Sequence, residues 1–296
     1  MLRLVNLVFL VGCLVTCLVA GGPAMAQREA FVDTPFGKVP KECHLQHPAG
    51  TTLKIIENGV RATHADGTVK NYISSAKCLE FAKTYRSRRA PASSPPISNG
   101  WFNYAGWLAP ANIGNFSATY TLPQPPANPG SQTIYYYIGL QDIDSASPTV
   151  LQPVASYFQS AWSLTSWNCC PSGTANQGNV VTGMQSGDTV TAAIYQISTS
   201  PTTYAIEGIW SGNVTSLNAE AGTANYNWPN VTLEIYNLDT CDQFMTGPFT
   251  FSQLSMNDIK GNSLTPSWGV TPSGGTACNG KLTVSSSTIT IQENIP

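Results

Sequence analysis

After His64 the sequence has no histidine, and after Arg89 it has no arginine. The first absence means that no Ser-His-Asp or Cys-His arrangement can be assembled within residues 90–296. The same stretch contains no Cys-x-x-Cys pair, so a structural zinc site is not expected either. Aspartic-peptidase chemistry is announced by Asp-Thr-Gly or Asp-Ser-Gly; the nearest string, Asp188-Thr189-Val190, departs at the glycine. The Glu-x-Asp-x-x-Glu string that puts two carboxylates on one strand face of β-glucan hydrolases is absent. So is a carboxylate-rich calcium and manganese loop with its histidine. Beyond the first 26 residues no stretch approaches the ~18 apolar residues needed to span a membrane as a helix. Charge is also scarce, at 10% of residues.

The little charge there is divides the chain. Residues 27–89 carry eleven basic side chains against six acidic ones, about +5, and all three histidines, His44, His47 and His64. Residues 90–296 carry only Lys260 and Lys281 against ten acids, about -8, together with all seven tryptophans. The formal total of -2 hides this and gives no reason to expect nucleic acid or an anionic membrane as partner.

Residues 1–26 read as a secretory signal peptide: Arg3, an apolar run from Leu7 to Ala20, then Ala24-Met25-Ala26. A secreted product without a membrane anchor is therefore expected. Its removal leaves six cysteines in an oxidising compartment. Cys43 and Cys78, alone in the basic segment, pair most simply with each other, leaving Cys241 with Cys278, and Cys169 with Cys170 or with neither. The basic segment 27–89 shows two hairpin turns, Asn58-Gly59 and Asp66-Gly67, between alternating strands, and reads as a small β-meander. It ends in Arg86-Ser87-Arg88-Arg89, a convertase-type site cleaved after Arg89, followed by a Pro/Ser linker. Secreted chains with such sites are often zymogens. The expectation is a propeptide at 27–89, held over the acidic domain at 90–296 by opposite charge and weakened by salt.

From residue 97 onward short β-rich runs alternate with turn residues. The expected strands are Phe116 to Leu122, Thr133 to Leu140, Thr149 to Phe158, Ala161 to Trp167, Thr189 to Ile197, Thr203 to Ile209, Asn230 to Tyr236 and Lys281 to Ile291. No helical period of useful length interrupts them. The fold class is all-β, an antiparallel β-sandwich. Acceptors for glycosylation stand at Asn115, Asn213 and Asn230.

A carboxylate that works without histidine needs an amide or hydroxyl to polarise the carbonyl, so glutamine and glutamate on strands are the residues to inspect. Gln152 interrupts Val150-Leu151-Gln152-Pro153-Val154, and Glu234 interrupts Val231-Thr232-Leu233-Glu234-Ile235-Tyr236. Tyr137-Ile138-Gly139-Leu140, a short loop, and Leu151-Gln152 resemble the glutamic peptidases, the eqolisins, and related secreted concanavalin A-like sandwich proteins. In that family the strand is followed by Leu-Gln-Thr-Gly, whose Gln is catalytic; here Pro153 replaces the Thr. The likeness implies a jelly-roll sandwich and an acid endopeptidase. Gln152 would donate to the oxyanion, a glutamate would activate water, and Tyr137 and Trp167 would line the substrate.

The family's glutamate lies in an Ala-Glu-Trp-Ile-like string on a later strand. Gapless placement on the apolar residues puts Val231 there, and a slide by three puts Glu234 there. The two lie on opposite strand faces, so one register is wrong. Glu234 is carried over as the base, with Glu207 as fallback. No cofactor or metal is implied; polypeptide substrates, the chain's own propeptide and a monomeric state are. The competing reading is a non-catalytic carbohydrate-binding sandwich with aromatic stacking platforms such as Trp101 or Trp107.

Overall fold

The computed structural model describes residues 31–87, 100–143, 149–272 and 277–293. The expected signal peptide, Arg89 and the Pro/Ser linker lie outside these residues. The basic segment forms β1 (Phe31–Thr34), β2 (Gly37–Pro40), β3 (His44–Gln46), β4 (Thr51–Ile56), β5 (Gly59–Thr63), β6 (Val69–Ile73) and helix α1 (Ala76–Ser87). The acidic segment continues with β7 (Gly100–Gly106), β8 (Ile113–Thr121), β9 (Thr133–Gln141), β10 (Val150–Phe158), β11 (Ala161–Cys169), β12 (Ala175–Thr182) and β13 (Thr189–Thr199). It closes with β14 (Thr202–Trp210), β15 (Asn213–Glu220), β16 (Trp228–Tyr236), β17 (Phe249–Asp258), β18 (Gly269–Pro272), β19 (Lys281–Val284) and β20 (Ile289–Gln292).

Two large sheets pack face to face. One runs β18-β7-β16-β9-β10-β11-β12-β3, and the other β19-β20-β17-β8-β13-β14-β15-β4-β5-β6. Within the acidic segment every ladder is antiparallel. The inner faces alternate as a sandwich requires. Tyr136, Ile138 and Leu140 of β9, Leu151 and Ala155 of β10, and Val231, Leu233 and Ile235 of β16 pack in one core with Phe116, Tyr120, Ile194, Ile206, Phe249 and Phe251 from the facing sheet. At its centre the rings of Tyr136 and Phe249 stack with centroids 3.8 Å apart.

Apart from the two-stranded β1-β2 ladder, the basic segment is not a sheet of its own. β4, β5 and β6 form the expected hairpins, but β4 pairs in parallel with β15, and β3 pairs in parallel with β12. The segment thus prolongs both sheets along one side of the sandwich and occupies backbone edges that would otherwise stand open. It also contains a helix that a β-meander does not provide for. Ser75 starts α1, its Oγ accepting from the Cys78 N–H at 3.3 Å, and Cys78 and Phe81 form its buried side. Cys43 is bonded to Cys78, Cys241 to Cys278, and Cys169 to its neighbour Cys170.

Candidate active site

The outer face of the eight-stranded sheet, opposite the sandwich core, holds the candidate residues. Because side chains alternate along a strand, the burial of Val231, Leu233 and Ile235 in the core turns Asn230, Thr232, Glu234 and Tyr236 outward. The same logic turns Tyr135, Tyr137, Gly139 and Gln141 of β9 outward, and Val150, Gln152 and Val154 of β10. Gln152 and Glu234 therefore share a face, and Val231 lies on the other one.

They do not share a row. Leu151 pairs with Leu140 and Val154 with Tyr137, which sets Gln152 beside Gly139; across β9, Gly139 pairs with Asn230. Glu234 pairs with Tyr135, four residues along β9. At ~3.3 Å per residue and ~4.8 Å per strand, the Gln152 and Glu234 backbones stand ~16 Å apart. The residue across from Gln152 is Asn230. Gly139 is what makes this possible: a Cβ there would lie 2.7 Å from the Asn230 Oδ1, so only a glycine lets the amide lean across β9. On the other side of Gln152, Trp167 is its partner on β11. The row therefore reads Trp167, Gln152, Gly139, Asn230.

Each group has a distinct environment. Gln152 is fully buried, and among the described residues neither its Nε2 nor its Oε1 has a hydrogen-bond partner. Asn230 is equally buried; its Oδ1 accepts from the Thr232 hydroxyl at 2.8 Å, and its Nδ2 has no partner among the described residues. A glycan on Asn230 has no room in this fold, whereas Asn213 is exposed and Asn115 half-buried. Glu234 accepts a hydrogen bond from Tyr137 at 2.9 Å and another from Tyr236. Trp101 is a third partner. Burial nonetheless pushes its carboxyl up to about 8, against the lowering effect of those bonds. Trp101 in turn stacks on Trp228, with centroids 5.9 Å apart.

Glu207, the fallback carboxylate, belongs to the other sheet. It lies on β14 opposite Ala193 and Ser216, next to core-facing Ile206, so it points away from the sandwich on the far side from Gln152. Among the described residues, the grouping of metal-type donors is Glu42 with Cys43 and Cys78, whose sulfurs are joined to each other.

The face is covered by the chain's own basic segment. Phe36, Val39, Cys43, Cys78 and Phe81 form one apolar cluster with Tyr135, Tyr137, Val150, Val154, Trp167 and Tyr236. Phe36 meets the Trp167 ring edge-on at 5.9 Å, and His44 stacks on it at 5.6 Å. The His44 Nε2 lies 2.7 Å from the Gln177 Oε1, and the Gln46 side chain donates to the same oxygen at 3.0 Å. At the seam with the second sheet Lys54 pairs with Glu220 at 3.3 Å. Among the described residues, opposite charge is thus a small part of the contact, which consists mainly of aromatic packing and backbone ladders. The structure places Tyr137, Gln152, Trp167 and Glu234, the residues singled out in the sequence, on this one face, together with Asn230, to which the sequence assigned only a glycosylation role. No sequence signal marks it, because the pairing of Asn230 with Gly139 is a register that only the assembled sheet defines.

No protein-family model matches the sequence, and no curated protein matches it. Among solved structures, scytalido-glutamic peptidase bound to a peptide-based transition-state analogue superposes with a TM-score of 0.51 at 13% identity, covering 67% of this chain and all of that one. SCP-B, a member of the eqolisin family of peptidases in complex with the tripeptide Ala-Ile-His, gives a TM-score of 0.49 at 13% identity over 66% of this chain and all of that one. The chain has the β-sandwich fold of the glutamic peptidases.

Proposed function

We propose that the outer face of the eight-stranded sheet is a cleft for an extended polypeptide, and that the chain is a secreted precursor whose residues 27–89 occupy that cleft until they are cut away at Arg89. One observation carries the reading. A floor of aromatic side chains around an unpartnered buried amide, Gln152, is sealed by the chain's own Phe36, His44 and Phe81. Aromatic rings hold apolar side chains of a peptide. A primary amide with a free donor and a free acceptor matches a peptide group, which offers one of each. The R-x-R-R site at residues 86–89 and the secretory leader fit a segment made to be removed. The shared fold with a peptidase seen with a peptide-based ligand supports the same substrate class.

Hydrolysis by Gln152 with Glu234 is the second reading, favoured by the presence of a buried carboxyl on the same face. In it, Glu234 would take a proton from water and return it to the leaving amine. The experiment is to cleave the secreted precursor with a kexin-type convertase and present it, from pH 3 to 8, with immobilised denatured protein and with a glycan array. Retention on denatured protein is expected, and retention on glycans alone would overturn the polypeptide reading. Peptide-bond cleavage abolished by Glu234→Gln would establish the second reading in its place.

A further inference from the structure

We infer that Asn230 is the residue that keeps this cleft from hydrolysing what it holds, and that one substitution at this position turns a polypeptide-binding cleft into a peptidase. The inference rests on the reading of this face as a polypeptide site. It starts from what general-base hydrolysis requires. A water must lie between the group that takes its proton and the donor that steadies the oxyanion, so both groups must reach one small volume. Gln152 supplies the donor. Its neighbour across the gap is fixed by the ladder: Gly139 contributes no side chain, and Asn230 leans over it from β16. Every other outward side chain of β16 stands farther along the strand. Thr232 is two residues away and holds the Asn230 Oδ1, and Glu234 is four residues away with its carboxyl tied to Tyr137 and Tyr236.

Asn230 has the right position and the wrong chemistry. Its nitrogen lone pair is delocalised into the carbonyl, so the amide neither accepts a proton from water nor passes one to an amine. With Oδ1 engaged by Thr232, Nδ2 is left without a partner among the described residues, as are the Gln152 Nε2 and Oε1. Three unpartnered amide atoms around a glycine suit a peptide group bound through both its carbonyl and its N–H.

A carboxylate at 230 completes the missing step. It removes a proton from a water whose oxygen bonds to the scissile carbonyl carbon. The resulting oxyanion accepts from the Gln152 Nε2–H. The same carboxyl then gives that proton to the nitrogen as the C–N bond breaks, leaving a carboxylic acid and an amine. No oxidant, metal or covalent intermediate enters the balance.

The test uses the convertase-cut full-length product and a quenched fluorescent peptide library from pH 2 to 7. The wild type should bind denatured protein without cutting it. Asn230→Glu should raise hydrolysis at least ~100-fold over the wild type, and adding Gln152→Ala should remove ~100- to 1000-fold of that gain. Asn230→Asp, the isosteric change, serves as the second variant if the longer side chain prevents folding, as judged by near-UV circular dichroism. Folded acidic variants that both fail to cut would overturn the inference, as would wild-type hydrolysis that survives Asn230→Ala. Loss of polypeptide binding by the wild type would instead strike the underlying reading, so the two failures are told apart.

Discussion

At Glu234 three hydrogen-bonding partners do not offset the cost of taking a carboxylate out of water. Burial lifts its carboxyl from the usual 4.5 to about 8, and the donors Tyr236, Tyr137 and Trp101 only reduce the shift. A folded value above the unfolded one means that the folded chain holds the proton more tightly. The corresponding stability is complete below about pH 4.5 and is lost as pH rises through about 8. Glu293, buried at the end of β20 and accepting from Asn103, is raised to about 8 by the same cause and acts with the same sign. Melting temperatures of the full chain should therefore fall between pH 5 and 9. Glu234→Gln should flatten part of that slope, and the double change with Glu293→Gln most of it; an unaltered slope in the double variant would refute the assignment. Tyr137→Phe leaves the carboxyl without one donor and should destabilise the full chain by about 1–3 kcal/mol, read from denaturant unfolding at pH 6.

Among elements, α1 is held by the Cys43–Cys78 bond, which closes a span of 35 residues between the turn before β3 and the helix. The helix lies against the Pro171–Gly173 turn so closely that a Cβ on Gly173 would run into the Cys78 carbonyl. Replacing both cysteines with serine should cost the full chain about 2–4 kcal/mol of stability and expose α1 to limited proteolysis; unchanged unfolding and digestion would count against this role. Elements differ in how plainly the sequence announces them. β9, Thr-Ile-Tyr-Tyr-Tyr-Ile-Gly-Leu-Gln, is buried at every position, and such a run reads as a strand with no knowledge of its neighbours. β12, Ala-Asn-Gln-Gly-Asn-Val-Val-Thr, and β15, Asn-Val-Thr-Ser-Leu-Asn-Ala-Glu, escape notice because their polar residues pair with other chain segments rather than with water. Lys281 to Ile291 reads as one strand yet forms a hairpin, since the Ser285 hydroxyl accepts the Thr288 N–H and turns the chain. The outward face of β16 followed from alternation, but its alignment with Gln152 did not. Register along β9 depends on which pairs of strands meet, and that is a property of the assembled sheet.

For the whole molecule, the charge imbalance between the two segments leads to the expectation that the basic segment is held by attraction. The contacts point the other way. With ladders to β12 and β15 and aromatic packing on Trp167 as the main contacts, 1 M salt should leave the cut segment bound, although it screens Lys54–Glu220. Size-exclusion chromatography with and without salt checks this. Acid should be what separates them. His44 lies between the Trp167 ring and Gln177, with its pKa lowered first by burial. His47 is packed among Asn176, His64 and Tyr72 with Lys70 nearby, and is lowered by burial and by those positive neighbours. Its Nδ1 has no partner among the described residues, so a proton added there finds no acceptor. Folded values below the ordinary 6.5 mean that these histidines favour the closed form above that pH and oppose it as pH falls. Glu234 pulls the other way, because its buried carboxyl holds its proton more tightly in the closed form, and the histidines must outweigh it. The convertase-cut product should thus stay associated at pH 7 and separate as pH drops below about 6, well before surface carboxylates titrate near 4. The double variant His44→Gln, His47→Gln should need a distinctly lower pH. If wild type and variant part at the same pH, the histidines do not govern opening, and titration of the acidic domain does.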